Sequence, residues 1–324
     1  MLWSAATALT IAGPLIGGGI AGVLIVTGSA VGAIGLLWAA FTLQLTDQEW
    51  ELLAPLIPRA ATGWPRVEDR QVVNGMVYKL RTGISRRDLP ERHGPWQTVH
   101  TRFRRYALDG VFTRALRRIQ ARADAAGDLD WPVQIDSTIA PSPPARRHRS
   151  ERGIYRPDGP DEHALGRSRG GPTTKVHLAC GGQGRPPAMF VTPGRRHDST
   201  CARILLERVR VPRGGLGRPR CRPDQVIADT ASSFRDFRAY LRRRGIAHTI
   251  PEKRDQQRHW LNRGRQGGRP PGFDRQTHRR RNTIERCFNR LKGFRGIATR
   301  YEKTATSYEA AVTLASFPLR ARSV

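Results

Sequence analysis

The chain has 324 residues, with 56 Lys and Arg against 27 Asp and Glu, a formal charge of +29. Basic residues run from Arg59 to Arg322. That exceeds what a membrane-surface patch needs and fits a polyanionic partner, DNA or RNA. Aromatic residues make up only 7%, which argues against a single-strand stacking platform. The four cysteines, Cys180, Cys201, Cys221 and Cys287, show no Cys-x-x-Cys spacing, so small thiols in a reducing compartment are expected rather than a zinc site.

Residues 1–44 carry no charge and form an apolar, glycine-rich extension. It is long enough to span a bilayer once, or twice as a hairpin, but lacks the basic flank of a secretory signal. The preferred reading is a non-native extension, from a misplaced start or a fusion, with no membrane association of the rest of the chain. A helical module over 45–128 follows. Thr46 and Glu49 form a T-x-x-E capping box that opens a helix. A second helix fits Asp69 to Thr82, with Val73, Met76, Val77 and Leu80 inward and Gly83 as its C-cap. After D-L-P-E-R-H-G-P, a third runs from Trp96 to Leu108, expected to bury Trp96, Val99, Phe103 and Tyr106. Its expected exposed face is His100, Arg102, Arg104 and Arg105. A fourth helix carries Phe112, Leu116 and Ile119. Several short helices with one basic face resemble a helix-turn-helix arrangement for duplex DNA.

From Trp131 the period changes, opening a second unit over 129–320. V-Q-I-D-S-T-I-A reads as a buried strand holding Asp136, and Arg146 to Thr173 as a mobile loop. Lys175 to Gly194 reads as a hairpin turning at 181–187. A helix over Ser199–Val209, the strand Q-V-I-A-D ending at Asp229, a helix over Phe234–Arg244 and the strand A-H-T-I-P complete a mixed sheet flanked by helices. In the next helix Arg281, Glu285, Phe288 and Lys292 are spaced four, three and four, so they share a face. Lys292 lies roughly 10 Å beyond Glu285. Two carboxylates about 4 Å apart repel by roughly 4 kcal/mol at an effective dielectric near 20. Gathering Asp136, Asp229 and Glu285 therefore makes sense around a divalent cation. Each acid also has a plain alternative: a strand or turn cap for an aspartate, and a pair with Arg281 for Glu285.

These residues resemble the DDE transposases of bacterial insertion sequences, the IS-four/IS-five superfamily, over Leu45 to Phe317. The resemblance rests on L-T-D-Q-E-W, R-D-L-P-E-R-H-G-P-W-Q-T-V-H, I-D-S-T, P-G-R-R-H-D-S, A-D-T-A and R-R-N-T-I-E-R-C-F-N-R-L-K-G-F-R-G-I-A-T-R-Y-E-K. It implies a ribonuclease H-like α/β core, with Asp136, Asp229 and Glu285 as the metal-binding triad and Arg281 and Lys292 as accessory basic residues. It also implies two Mg²⁺ ions, with Mn²⁺ as a substitute, and DNA cleavage and strand transfer at terminal inverted repeats. His278, Thr230, Ser232 and Pro318 depart from the family pattern, Pro318 by interrupting the closing helix. They leave a degenerate DNA-binding remnant as the alternative function.

DNA contacts are expected from Arg102, Arg104 and Arg105 and from Arg286 and Arg290 on the Glu285 helix. The segment Lys253–Lys303 holds 16 Lys and Arg against four acids. His197 and Asp198 are weaker candidates for the rim of the site, since a histidine there can equally cap the next helix. The expected setting is a bacterial cytoplasmic, nucleoid-associated homodimer on DNA.

Overall fold

The computed structural model describes residues 44–58, 66–143, 163–267 and 270–321. The apolar extension through residue 43 and most of the expected mobile loop lie outside them. The chain opens with α1 (Asp47–Leu53), where Thr46 and Glu49 form the reciprocal capping box. Next come α2 (Asp69–Thr82), α3 (Trp96–Leu108) and α4 (Val111–Ala125). Gly83 ends α2 in the left-handed conformation at φ 68°. A side chain there would also meet Arg295 Cβ at 2.8 Å, so glycine is required twice over.

The link between α2 and α3 covers residues 83–95 and includes two 3-10 turns. It is longer than the three- or four-residue turn of a helix-turn-helix unit. The tight turn falls instead between α3 and α4, at Asp109 and Gly110. On α3, Val99, Phe103 and Tyr106 are buried as expected, whereas Trp96 is only half-buried. The face expected to be exposed is corrected too: Arg104 and Arg105 are exposed, but His100 and Arg102 are half-buried. Arg102 donates to Asp69 Oδ1 at 3.0 Å and to the Val67 carbonyl at 2.9 Å. It holds the start of α2 against α3.

The sheet is built from β1 (Pro132–Pro141), β2 (Gly166–Ser168), β3 (Gly171–Gly181), β4 (Ala188–Pro193), β5 (Gln225–Ile227) and β6 (Ala247–Thr249). β1 pairs antiparallel with β3 and parallel with β5, β5 runs parallel to β6, and β2 and β4 share the outer edge of β3. This is the mixed sheet of a ribonuclease H-like fold. The expected loop through Thr173 is corrected at its end. There β2 and β3 form a hairpin turning at Arg169 and Gly170, and Gly171 at φ 114° supplies the conformation that a side chain disfavours.

The remaining helices are α5 (Asp198–Glu207), α6 (Arg235–Arg243), α7 (Arg254–Arg263), α8 (Arg275–Arg279), α9 (Asn282–Lys292), α10 (Arg295–Ala298) and α11 (Ala305–Ala321). Pro318 was expected to interrupt the closing helix, but α11 continues to Ala321. A proline removes one ladder bond, and packing of the neighbouring turns can offset that loss.

Alternation along the strands sorts the two cores. Val133 and Ile135 of β1 join Ala179 and Phe190 against Leu205 and Leu206 of α5 and Leu241 of α6. On the other face Val176, Leu178 and Cys180 of β3 meet Ile284, Phe288 and Leu291 of α9, and Tyr308 and Leu314 of α11. The apolar faces of α1 to α4 belong to that same second core. Burying each such side chain is worth roughly 1.5–3 kcal/mol. The helical module therefore packs on α10 and α11, and α11 in turn covers β4 of the sheet.

Candidate active site

Asp136 sits within β1, and its side chain is 19% exposed. Its Oδ1 accepts from the Ser137 backbone N–H at 2.8 Å, and its Oδ2 accepts from Arg281 Nη2 at 2.6 Å. Burial raises the Asp136 pKa above the ordinary carboxylate value. The Arg281 guanidinium and the Ser137 N–H work against that rise, and the charge of Asp229 adds to it. Asp229 lies just past β5, the parallel neighbour of β1. Its extended backbone caps a 3-10 turn, with Oδ1 accepting from Ser232 N–H and Oγ, both at 3.3 Å. A small cleft is lined by Asp136, Asp229, Ser137, His177, Asp198 and Ser232. The sheet topology thus brings two of the three acids to one opening.

Glu285 is placed differently. It lies in the first turn of α9, its side chain 54% exposed, and Arg281 Nη1 reaches its Oε1 at 3.3 Å. Arg281 is the residue before the helix, and its guanidinium stands between Asp136 and Glu285. Among the described residues, no three of His, Cys, Asp and Glu are close enough to hold an ion as they stand. The expected three-carboxylate cage is therefore two acids on the cleft and a third across an arginine. Both plain alternatives are also realised, with Asp229 capping a turn and Glu285 pairing with Arg281.

What fixes α9 is a side chain the sequence reading did not single out. Buried Gln134, two residues before Asp136 on the same face of β1, accepts from the Ile284 N–H at 2.9 Å. It shares that N–H with the Arg281 carbonyl, which lies at 3.1 Å, and ties the Glu285 turn to the Asp136 strand. Lys292, exposed in the last turn of α9, lines a small pocket with Thr138 and so lies farther along the same strand. Arg286 and Arg290 are exposed on α9, Arg286 donating to Thr283 Oγ1 at 3.3 Å.

Asp198 proves more central than its sequence context suggested. At the first position of α5, its Oδ1 accepts from Ser137 Oγ at 2.7 Å and from Lys175 Nζ at 3.2 Å, and lies 3.8 Å from His177 Nδ1. His177 is buried, stacks on Phe190 at 4.8 Å and bonds Thr192 Oγ1 through Nε2 at 2.9 Å. Burial takes its pKa down to about 4, against the pull of Asp198. It is neutral at pH 7. His197 caps α5, its ring nitrogen accepting from the Ser199 N–H at 3.3 Å. Ser137, Lys175 and His177 were missed in the sequence. The available signal was the alternation of Lys175 and His177 on one strand face.

The fold and its acid-lined cleft define a ribonuclease H-like catalytic core. Residues 130–316 match the family model described as "Transposase DDE domain", and residues 45–116 match "Putative transposase of IS4/5 family". The chain belongs to the DDE-domain transposases. Similar proteins include an "Uncharacterized protein y4sN" of Sinorhizobium fredii, 32% identical over 36% of this chain and 86% of that protein. A "Putative transposase for insertion sequence element IS6501" of Brucella ovis is 32% identical over 44% of this chain and 94% of its own length. An "Insertion element IS402 uncharacterized 16.2 kDa protein" of Burkholderia cepacia is 29% identical over 29% and 70% respectively. No helix among the described residues is long and apolar enough to cross a membrane.

Proposed function

We propose that the chain binds the terminal inverted repeats of an insertion sequence as a homodimer in the bacterial nucleoid, cleaves the DNA there and joins the freed ends to a target. The observation that carries this reading is the juxtaposition of Asp136 on β1 with Asp229 just past its parallel neighbour β5, at one cleft of a strongly basic protein. The donor set suits a hard divalent cation. Its nearest acids offer only oxygen, and Asp136 already needs a cation beside it, a need Arg281 now meets. Asp136 and Asp229 would hold Mg²⁺ or Mn²⁺, with Glu285 as the third carboxylate once Arg281 lets go. A bound pair of ions would supply the Lewis acidity for in-line attack on a phosphodiester.

The rest falls to the chain's own side chains. Arg281 and Lys292, spaced along β1, would hold phosphates on either side of the reacting one. Arg104, Arg105, Arg286 and Arg290 are exposed and available to the duplex, whereas Arg102 serves it only by orienting α3. Asp136→Asn, Asp229→Asn and Glu285→Gln should each abolish Mg²⁺-dependent nicking of inverted-repeat DNA while leaving binding within about twofold. Nicking that survives in all three variants would place the chemistry elsewhere.

A further inference from the structure

A cavity of about 480 Å³ lies away from the acids, where the helical module meets the core. Lys79 of α2, Arg86 of the following turn and His100 and Arg104 of α3 form one wall, and Glu302 and Lys303 form the other. The single acid among these is already committed, since Glu302 pairs with Lys79 at 2.5 Å. Arg86, Arg104 and Lys303 are exposed. Among the described residues none of the three has an acidic partner within ion-pair distance, and Arg86 instead lies over the Trp96 ring and against His100 Nε2 at 3.2 Å. Three unneutralised cations thus converge on one opening from two parts of the chain. His100 feels them. Burial lowers its pKa first; Glu302 pulls it up, and Lys79, Arg86 and Arg104 push it down again.

The cavity also lies in line with the acids. Pro141 lies five residue steps beyond Asp136 along β1, roughly 17 Å at the rise of a strand, and Pro143 just beyond lines the cavity. Lys292 sits between the two, beside Thr138. Phosphates on one strand of a duplex are spaced about 3.4 Å along its axis, so roughly five nucleotides bridge that distance. The wall is held firmly. Buried Arg300 donates to the carbonyls of Glu302 and Lys303, each at 3.0 Å, and its own N–H bonds the Pro141 carbonyl at 2.8 Å.

We infer that this cavity is a phosphodiester-binding site, in which Arg86, Arg104 and Lys303 grip the backbone of the same duplex DNA whose neighbouring phosphate lies at Asp136. The inference rests on the transposase reading and adds a second anchor to it. End recognition by α3 and chemistry at β1 then share one continuous DNA track.

The test is fluorescence anisotropy of the full chain on a labelled 30-base-pair duplex at several KCl concentrations. Arg86→Ala/Arg104→Ala/Lys303→Ala is set against Arg213→Ala/Arg218→Ala/Arg243→Ala, which removes the same charge from exposed positions elsewhere. Each released phosphate contributes about 0.9 to the slope of log K against log salt. The cavity variant should therefore flatten the slope by roughly 2 to 3 and weaken binding about tenfold or more near 0.1 M salt, while the control moves little. Arg104→Glu/Lys303→Glu should weaken it further with an unchanged Tm. Equal losses in cavity and control variants, or no loss in either, would overturn the site. A wild-type chain that binds no duplex at all would instead bring down the transposase reading itself.

Discussion

Arg281 is the residue on which the site turns, because one guanidinium serves two acids, at 2.6 Å to Asp136 and 3.3 Å to Glu285. It is the main force opposing the burial that raises the Asp136 pKa. Arg281→Gln should therefore push the Asp136 titration higher still, so the acid limb of the pH–nicking profile moves to higher pH. Loss of a phosphate-holding donor should also cut the rate by about 10²-fold. Unchanged acid limbs in wild type and variant would show that Arg281 does not govern Asp136. His177 gives the second test. Its folded pKa is about 4, against 6.5 when exposed, so between those values the unfolded chain takes up a proton that the folded chain refuses. Stability contributed by the neutral ring is complete above pH 6.5 and falls as pH drops towards 4, by up to roughly 3 kcal/mol. Urea melts of His177→Gln should show a shallower decline over that window than wild type.

At the scale of elements, the Gln134 side chain ties β1 to the first turn of α9, the turn that carries Glu285. Gln134→Leu removes the side-chain acceptor while the Ile284 N–H keeps the Arg281 carbonyl at 3.1 Å, so the cost is that of one hydrogen bond, about 0.5–1.5 kcal/mol. It should also lower nicking more than a stability loss of that size explains, because the first turn of α9 is freed from β1. A variant with reduced Tm but wild-type nicking would show that the tie is structural only. Most elements were legible from the sequence, because hydrophobic period and caps are local: the Thr46 box, the Gly83 cap and the hairpin turn all stand where the pattern puts them. The positions of the acids were legible from local pattern too: Asp136 inside an apolar run, Asp229 at the end of another, and Glu285 by its spacing from Arg281 and Lys292. What escaped was set by register and side-chain competition across distant segments. Asp198 reaches Ser137 only because Ser137 lies opposite His177 in the β1–β3 ladder. Nor does local sequence show that Arg102 turns inward to Asp69, or that β2 forms in a Gly- and Pro-rich stretch.

At the scale of the whole molecule, the sequence divides near residue 128, where helical period gives way to strands, yet the packing does not divide there. The core that buries Val73, Phe103, Phe112 and Leu116 of the helical module is continuous with Ile284 and Phe288 of α9 and with Tyr308, Val312 and Leu314 of α11. Period reports which face of an element is apolar but not which partner covers it, so this continuity could not be read from the chain. It has a thermodynamic consequence. A fragment of residues 129–320 would expose to water the faces of α10 and α11 that the helical module covers, and at about 25 cal/mol per Å² of apolar surface that loss rivals the 5–15 kcal/mol by which whole domains are stable. The fragment should therefore aggregate or bind hydrophobic dye without a cooperative melt, whereas the full chain should unfold in one transition seen alike by far-UV circular dichroism and tryptophan fluorescence. Leu314→Ala, in the shared core, should lower that transition by about 2–5 kcal/mol for both probes together. Separate transitions in the full chain, or a fragment melting near the full-length Tm, would mean that the helical module leans on the catalytic core without holding it.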